Sequence, residues 1–417
     1  MILRGRFLIS GKLIERDVEV DAGKIVRVER SLFGSKVEFG DAIVLPGGID
    51  IHVHFRDPGM TEKEDFHTGS IAALRGGITT VFDMPNTKPV AKGRTEIEDK
   101  IASAKRKSVT DFGLYAFLWD VKVAKGIKQL CSGFKAYLAP STGGIVTPRD
   151  VLREFARDPE LGDAPVHVHA EELPEGADKT RATTPEDYDS ARPAEGETKC
   201  VKWVIENAMA PRLHLCHLSN PDAVETALKA GVSFECAPRH MLLDSSMRHL
   251  RNSGKTNPPL RSPAVREALF KAFRDGKVKV LASDHAPHLA SEKSSFDTSP
   301  AGMPEVEWCL PIFLALAKRG DADLAAIVRA SSEAPGELMR LPKGRIEKGY
   351  DADLIVVRMN NVREISKERI FTRCGWTPYT GFKAVFPWKV MLRGEFVFEG
   401  TQLLESGGYG HYVGRGQ

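Results

Sequence analysis

Two histidines one residue apart, followed two residues later by an arginine, stand in GGIDIHVHFRDPG: His52, His54 and Arg56. The surrounding AIVLPGGIDIHVHF reads as a buried β-strand. Side chains alternate across a strand with a period of two, so these three share one face. Neutral imidazole is the commonest metal ligand, and arginine's planar fork suits a carboxylate. An isolated His-x-His is more often a structural pair. Here further ligand-type residues end later strand-like runs: Lys135 in SGFKAYLAP, His169 in VHVHAEE, His217 in LHLCHLS and Asp284 in VLASDHAPH. Imidazole and carboxylate match zinc, and a site that keeps an open position for water is the catalytic kind.

Each residue also has an ordinary reading. A lone lysine is a poor metal ligand, because its ammonium has no lone pair. Between Phe134 and Ala136, however, Lys135 sits in apolar surroundings that favour the uncharged amine, which can add carbon dioxide to become a carbamate. His167 competes with His169, and His214 with His217; in each pair the residue nearer the strand end is preferred. His67, His249 and His411 are assigned no role in the site. Asp284 would by default be a helix cap. At the rim of the last strand it is placed instead to touch both metal and water, as a general base that later returns its proton. His288, four residues on, is placed for a substrate carbonyl or carboxylate. Asn86, in FDMPNTKP, is by default a turn former. With Arg56 it would grip a carboxylate through charge-assisted hydrogen bonds.

Eight strand candidates supply these positions: IDIHVH, ITTVFDM, DFGLYAF, GFKAYL, VHVHA, LHLCHL, VSFECA and VKVLASD. Amphipathic stretches such as GRTEIEDKIASAKRK and SPAVREALFKAFRDG lie between them. Strands alternating with helices over this length predict an α/β fold, a (β/α)₈ TIM-like barrel whose catalytic residues gather at the C-terminal strand ends. Residues 1–48 and 343–417 read as β segments expected to meet in a small sandwich beside a hydrolase barrel at 49–342. The glycine-rich tail ESGGYGHYVGRGQ reads as a loosely ordered terminus. The 417 residues carry 59 Lys+Arg against 56 Asp+Glu, a net charge of +3, which offers no general case for nucleic acid or anionic membrane. MILRGRFLIS is too soon interrupted by charge for a signal peptide, and no apolar run approaches a membrane span. Six scattered cysteines without a CxxC pair suggest reduced thiols and a cytoplasmic setting.

In this order, the motifs resemble the dihydroorotases, in the cyclic-amide branch of the amidohydrolase superfamily. The matching segments are GGIDIHVHFRDPG (47–59), GGITTVFDMPNTKP (76–89), GFKAYL (133–138), HAEE (169–172), CHLS (216–219), ASDHAPH (282–288) and SPAGMPEVE (299–307). GFKAYL places the chain with the lysine-bearing group. The resemblance implies two zinc ions bridged by N6-carboxylysine at Lys135 and by a hydroxide, with His52, His54, Lys135, His169, His217 and Asp284 as ligands. It implies substrate binding by Arg56, Asn86 and His288, and a covering loop at Ser141 and Thr142. It links Cys216 and Glu235 to an additional metal, although packing is their expected role here. The implied reaction is the reversible cyclisation of N-carbamoyl-L-aspartate to L-dihydroorotate in pyrimidine (UMP) synthesis. A homo-oligomer is implied too, and association with aspartate transcarbamoylase is known in the family. The competing readings are a hydantoinase or allantoinase, and a catalytically silent structural subunit.

Overall fold

The computed structural model describes residues 1–141, 143–176 and 182–415. Seven parallel strands pair in chain order: Gly48–Val53, Ile78–Asp83, Asp111–Phe117, Gly133–Tyr137, Val166–His169, Leu213–Leu215 and Ser233–Phe234. All seven fall on predicted strands. The eighth predicted strand, 278–284, forms only isolated parallel bridges: Leu281 to Cys236 and His285 to Val53. These bridges give the first and seventh strands a common neighbour, so the sheet curls in the manner of a TIM-like barrel. The ladder is interrupted for a local reason. The Ser283 amide donates to the Asp50 carboxylate at 3.1 Å, where a ladder would offer it a backbone carbonyl.

Helices Phe66–Arg75, Arg94–Lys107, Arg149–Arg157, Ala194–Asn207, Pro221–Lys229 and Pro263–Arg274 occupy the predicted intervals. Side-chain oxygens of Asp65, Asn220 and Ser262 accept from amides three residues on, which satisfies donors that a helix start leaves free. Helix Val121–Ile127 was not predicted, although Asp120 caps it in the same way. Among the described residues no helix is long and apolar enough to cross a membrane.

The terminal segments meet in one eight-stranded sheet. Ile2–Ile9 pairs with Lys12–Asp21 and Lys36–Pro46, and Lys36–Pro46 pairs antiparallel with Leu354–Val357 from the other end of the chain. The tail corrects the expectation of a loose terminus. The Phe112 amide donates to the His411 carbonyl at 2.9 Å, and the Val413 amide donates to the Phe112 carbonyl at 2.8 Å. Glycine here permits close approach: a Cβ on Gly410 would stand 1.9 Å from the Thr110 carbonyl oxygen.

A buried ion cluster ties these parts together. The Lys343 ammonium lies 2.6 Å from Asp111, 2.8 Å from Asp351 and 2.7 Å from Asp353 and is the central cation of the cluster, with Arg393 also on Asp111 and Lys24 also on Asp351. Asp111 opens the third barrel strand, and Asp353 precedes a strand of the terminal sheet. Removing the lysine leaves the buried Asp353 carboxylate without its cation, while Asp111 keeps Arg393 and Asp351 keeps Lys24. Lys343→Met is therefore expected to cost about 3–5 kcal/mol, read as a lower urea midpoint. An unchanged midpoint would remove the cluster's structural role.

Candidate metal centre

The first strand stops at Val53, so strand alternation places only His52. His54 and Arg56 reach the same cavity through the turn that follows, with Arg56 at φ +61°. His217 at φ +36° and Asp284 at φ +47° also lie in the left-handed region. Such backbone costs of order 1–3 kcal/mol per residue and persists only where the surroundings over-determine it. Three of the eight non-glycine residues with positive φ among the described residues are thus expected site residues.

His52, His54 and Asp284 form one group. Asp284 Oδ1 lies 2.9 Å from His54 Nε2 and 3.3 Å from His52 Nε2. His169 and His217 form a second, with Nδ1 and Nε2 3.0 Å apart. The His52 and His217 rings, 5.2 Å between centres, join the two groups. Lys135 Nζ lies 3.5 Å from His52 Nε2 and donates to Cys216 Sγ at 2.8 Å. All six expected ligand residues are buried.

Outer partners orient most of these side chains. Glu235 Oε1 lies 2.5 Å from His52 Nδ1, Asn86 Oδ1 lies 2.6 Å from His54 Nδ1, and Glu171 Oε2 lies 3.0 Å from His169 Nε2. The guanidinium of Arg239 bonds Asp284 Oδ2. A second contact of this kind fixes the tautomer and direction of a ligand imidazole. Glu235 was expected to serve packing; it holds His52 on one oxygen and His214 on the other. An acid within the apolar run VSFECA was the signal available in the sequence. Arg239 and Asn257, which also line the cavity, carried no such signal.

Burial holds His52, His54 and His217 below the ordinary imidazole range, His54 down to about 3. They are neutral at pH 7, with a lone pair to offer. Burial pushes the Asp284 carboxyl up, but His52 and Arg239 outweigh it and hold the group well below its usual range. His217 Nδ1 is buried without a hydrogen-bond partner, a deficit that a cation would relieve. Ligand atoms of His52, His54 and Asp284 all lie within 4.8 Å of one another. The donor set and its spacing fit a divalent metal.

Arg56, Asn86 and Ser141 line the cavity together with the histidines and Asp284. Thr142 lies outside the described residues. His288 is buried against the wall residues Arg56 and Ala301, its Nε2 3.1 Å from Arg56 Nη2 and 3.1 Å from the Ala301 carbonyl oxygen, and its Nδ1 3.2 Å from Lys63 Nζ. Trp376 Nε1 donates to the His288 carbonyl at 2.7 Å and pins this loop.

The amidohydrolase family profile matches residues 43–387. The dihydroorotase of Halobacterium salinarum is 34% identical over 410 residues, covering 96% of each chain. That of Methanothermobacter thermautotrophicus is 36% identical over 419 residues, 96% of this chain and 95% of the relative. The solved L-hydantoinase (dihydropyrimidinase) of Arthrobacter aurescens superimposes with a TM-score of 0.93 at 25% identity, covering 99% of both chains. Motif order, cavity and these likenesses agree: the chain belongs to the amidohydrolase family and, within it, to the dihydroorotases.

Proposed function

We propose that this enzyme interconverts N-carbamoyl-L-aspartate and L-dihydroorotate, closing and opening a cyclic amide in pyrimidine synthesis. The observation that carries the reading is Arg56. Its guanidinium is on the wall shared with the imidazole–carboxylate cluster, and its Nη1 is buried without a partner. A buried, unpaired guanidinium nitrogen selects for an anionic substrate group. Arg56 and Asn86 hold the carboxylate that stays outside the ring, and His288 backs Arg56. Such positioning is worth several kcal/mol, up to roughly 7–11 in well-oriented systems.

His52, His54, His169, His217, Asp284 and Lys135 as its carbamate would hold two divalent cations, zinc in our reading. When bound, these polarise a carbonyl and lower the pKa of water. The carbamate forms when the amine nitrogen adds to carbon dioxide and loses a proton. In ring opening, Asp284 takes the proton of the attacking water and delivers it to the departing ring nitrogen. In cyclisation it takes the ureido proton and returns it to the leaving oxygen.

The hydantoinase reading shares the fold and the ligand types but gives Arg56 no carboxylate to hold. The silent-subunit reading fits poorly with a chain in which every expected ligand position is filled. Turnover of carbamoyl-aspartate against hydantoin and allantoin separates these readings. Arg56→Ala is expected to raise KM for carbamoyl-aspartate by about 10- to 100-fold, the worth of a charge-assisted hydrogen bond. Unchanged KM, or faster turnover of hydantoin by the unaltered protein, would overturn the assignment.

The division at 48/49 and 342/343 is part of this proposal. It is supported by a separate apolar cluster containing Leu3, Phe7, Val18, Phe39, Leu354 and Met391, which we read as the interior of the small sandwich. A cytoplasmic setting is supported by six cysteines that are all free and buried.

A further inference from the structure

We propose that Arg239 is a positioning residue for Asp284, deciding which of its carboxylate oxygens meets the reacting atoms. The inference rests on the reading of Asp284 as the proton carrier. Arg239 follows the seventh barrel strand, opens the short helix Arg239–Leu242 and is 1% exposed. Its guanidinium takes hold of the end of the neighbouring segment at two points. Nη1 donates to the Ser283 carbonyl at 3.1 Å, and Nη2 bonds Asp284 Oδ2. The first point fixes the backbone beside Asp284; the second fixes its side chain.

This grip falls on a residue that needs it. Asp284 stands at φ +47°, where a non-glycine residue is held only by its surroundings. With Oδ2 on Arg239, only Oδ1 faces the imidazoles of His52 and His54. A half-turn of the carboxylate about its Cβ–Cγ bond would exchange the two oxygens, and the planar fork opposes that turn. Arg239 is itself held. Nη1 also bonds the Glu305 carboxylate, whose other oxygen accepts from the buried Tyr379 hydroxyl, and the Glu305 amide donates to His285 Nδ1 at 2.9 Å. The chain Asp284–Arg239–Glu305–Tyr379 thus runs from the site to the C-terminal region. A neutral side chain of similar size at 239 would leave two buried carboxylates without their cation.

The test measures kcat, KM and bound metal for Arg239→Met, Arg239→Lys and Tyr379→Phe. It uses whichever cyclic amide the unaltered enzyme opens, so failure of the substrate assignment leaves it intact. A partner that orients a ligand is worth about 10- to 100-fold in activity. Arg239→Met is expected to lower kcat by that factor, with KM and metal content unchanged. Arg239→Lys restores the charge but not the fork and is expected to fall between Arg239→Met and wild type. Tyr379→Phe loosens Glu305 at the far end and is expected to lower kcat several-fold at constant KM. A folded Arg239→Met protein with wild-type kcat would overturn the proposal. A raised KM at constant kcat would do so too, placing Arg239 on the substrate, as would metal lost in step with activity. Should Arg239→Met fail to fold, wild-type kcat in both other variants would overturn it.

Discussion

Asp284→Asn is expected to fold, keep its place against Arg239 and lose turnover in both directions by about 10²- to 10⁴-fold, the usual worth of a positioned general acid–base group. The substitution preserves shape, so the loss reports chemistry. Asparagine still offers Arg239 an acceptor oxygen where Asp284 Oδ2 now stands, but it cannot take a proton at neutral pH. The carboxylate suits the task because it is ionised: despite burial, the Arg239 guanidinium and the hydrogen bond with His54 hold it well below its ordinary range. The loss should appear in kcat more than in KM, since the proton moves only as the reaction proceeds. Turnover within tenfold of wild type, with metal retained, would move the proton to another group.

Lys135→Ala is expected to be as damaging for a different reason. Lys135 is fully buried on the fourth strand, 3.5 Å from His52 Nε2 and 2.8 Å from Cys216 Sγ. Alanine there leaves space beside His52 and removes the group proposed to lie between the cations. Where metals contribute several kcal/mol of transition-state stabilisation, losing their shared ligand costs on the order of 10³-fold in rate. Metal content per chain should fall as well. Added acetate or propionate should restore part of the activity, because a small carboxylate can occupy the vacated volume and supply the missing oxygens. Near-normal turnover without added carboxylate would remove the bridging role.

The contrast between these residues and their neighbours shows what local patterning can carry. Runs such as DFGLYAF and GFKAYL are apolar along their length, as strands buried on both faces must be, and the matching strands lie at Asp111–Phe117 and Gly133–Tyr137. Ligand-type residues at the ends of such runs were visible because metal chemistry needs particular side chains and parallel strands bring their ends to one rim. Partnership between distant residues left no such mark. His52 meets Glu235 across 183 residues, and Arg239 meets Asp284 across 45. The first contact exists only once the sheet has curled, and the second only once the seventh strand and the 278–284 segment lie side by side.

Composition was also a poor guide to backbone. Glycine in the tail suggested freedom, yet Gly410 is there because the chain runs against Thr110. Alternation was expected to carry His52, His54 and Arg56 together, but the strand ends at Val53 and a left-handed turn completes the placement. His288, expected at the substrate, meets Arg56, and Lys63 and Trp376, residues far from it in the chain, hold it there. By itself, then, the sequence determined the fold class and the residue types, among them His52, His54, Arg56, His169, His217 and Asp284, that the fold brings to one cavity, because strand runs and side-chain chemistry are local properties. The tertiary structure decided which nitrogen and which oxygen of each ligand faces inward. Most of those directions depend on hydrogen bonds to residues that tertiary contacts bring together, as His52 with Glu235, His54 with Asn86 and Asp284 with Arg239.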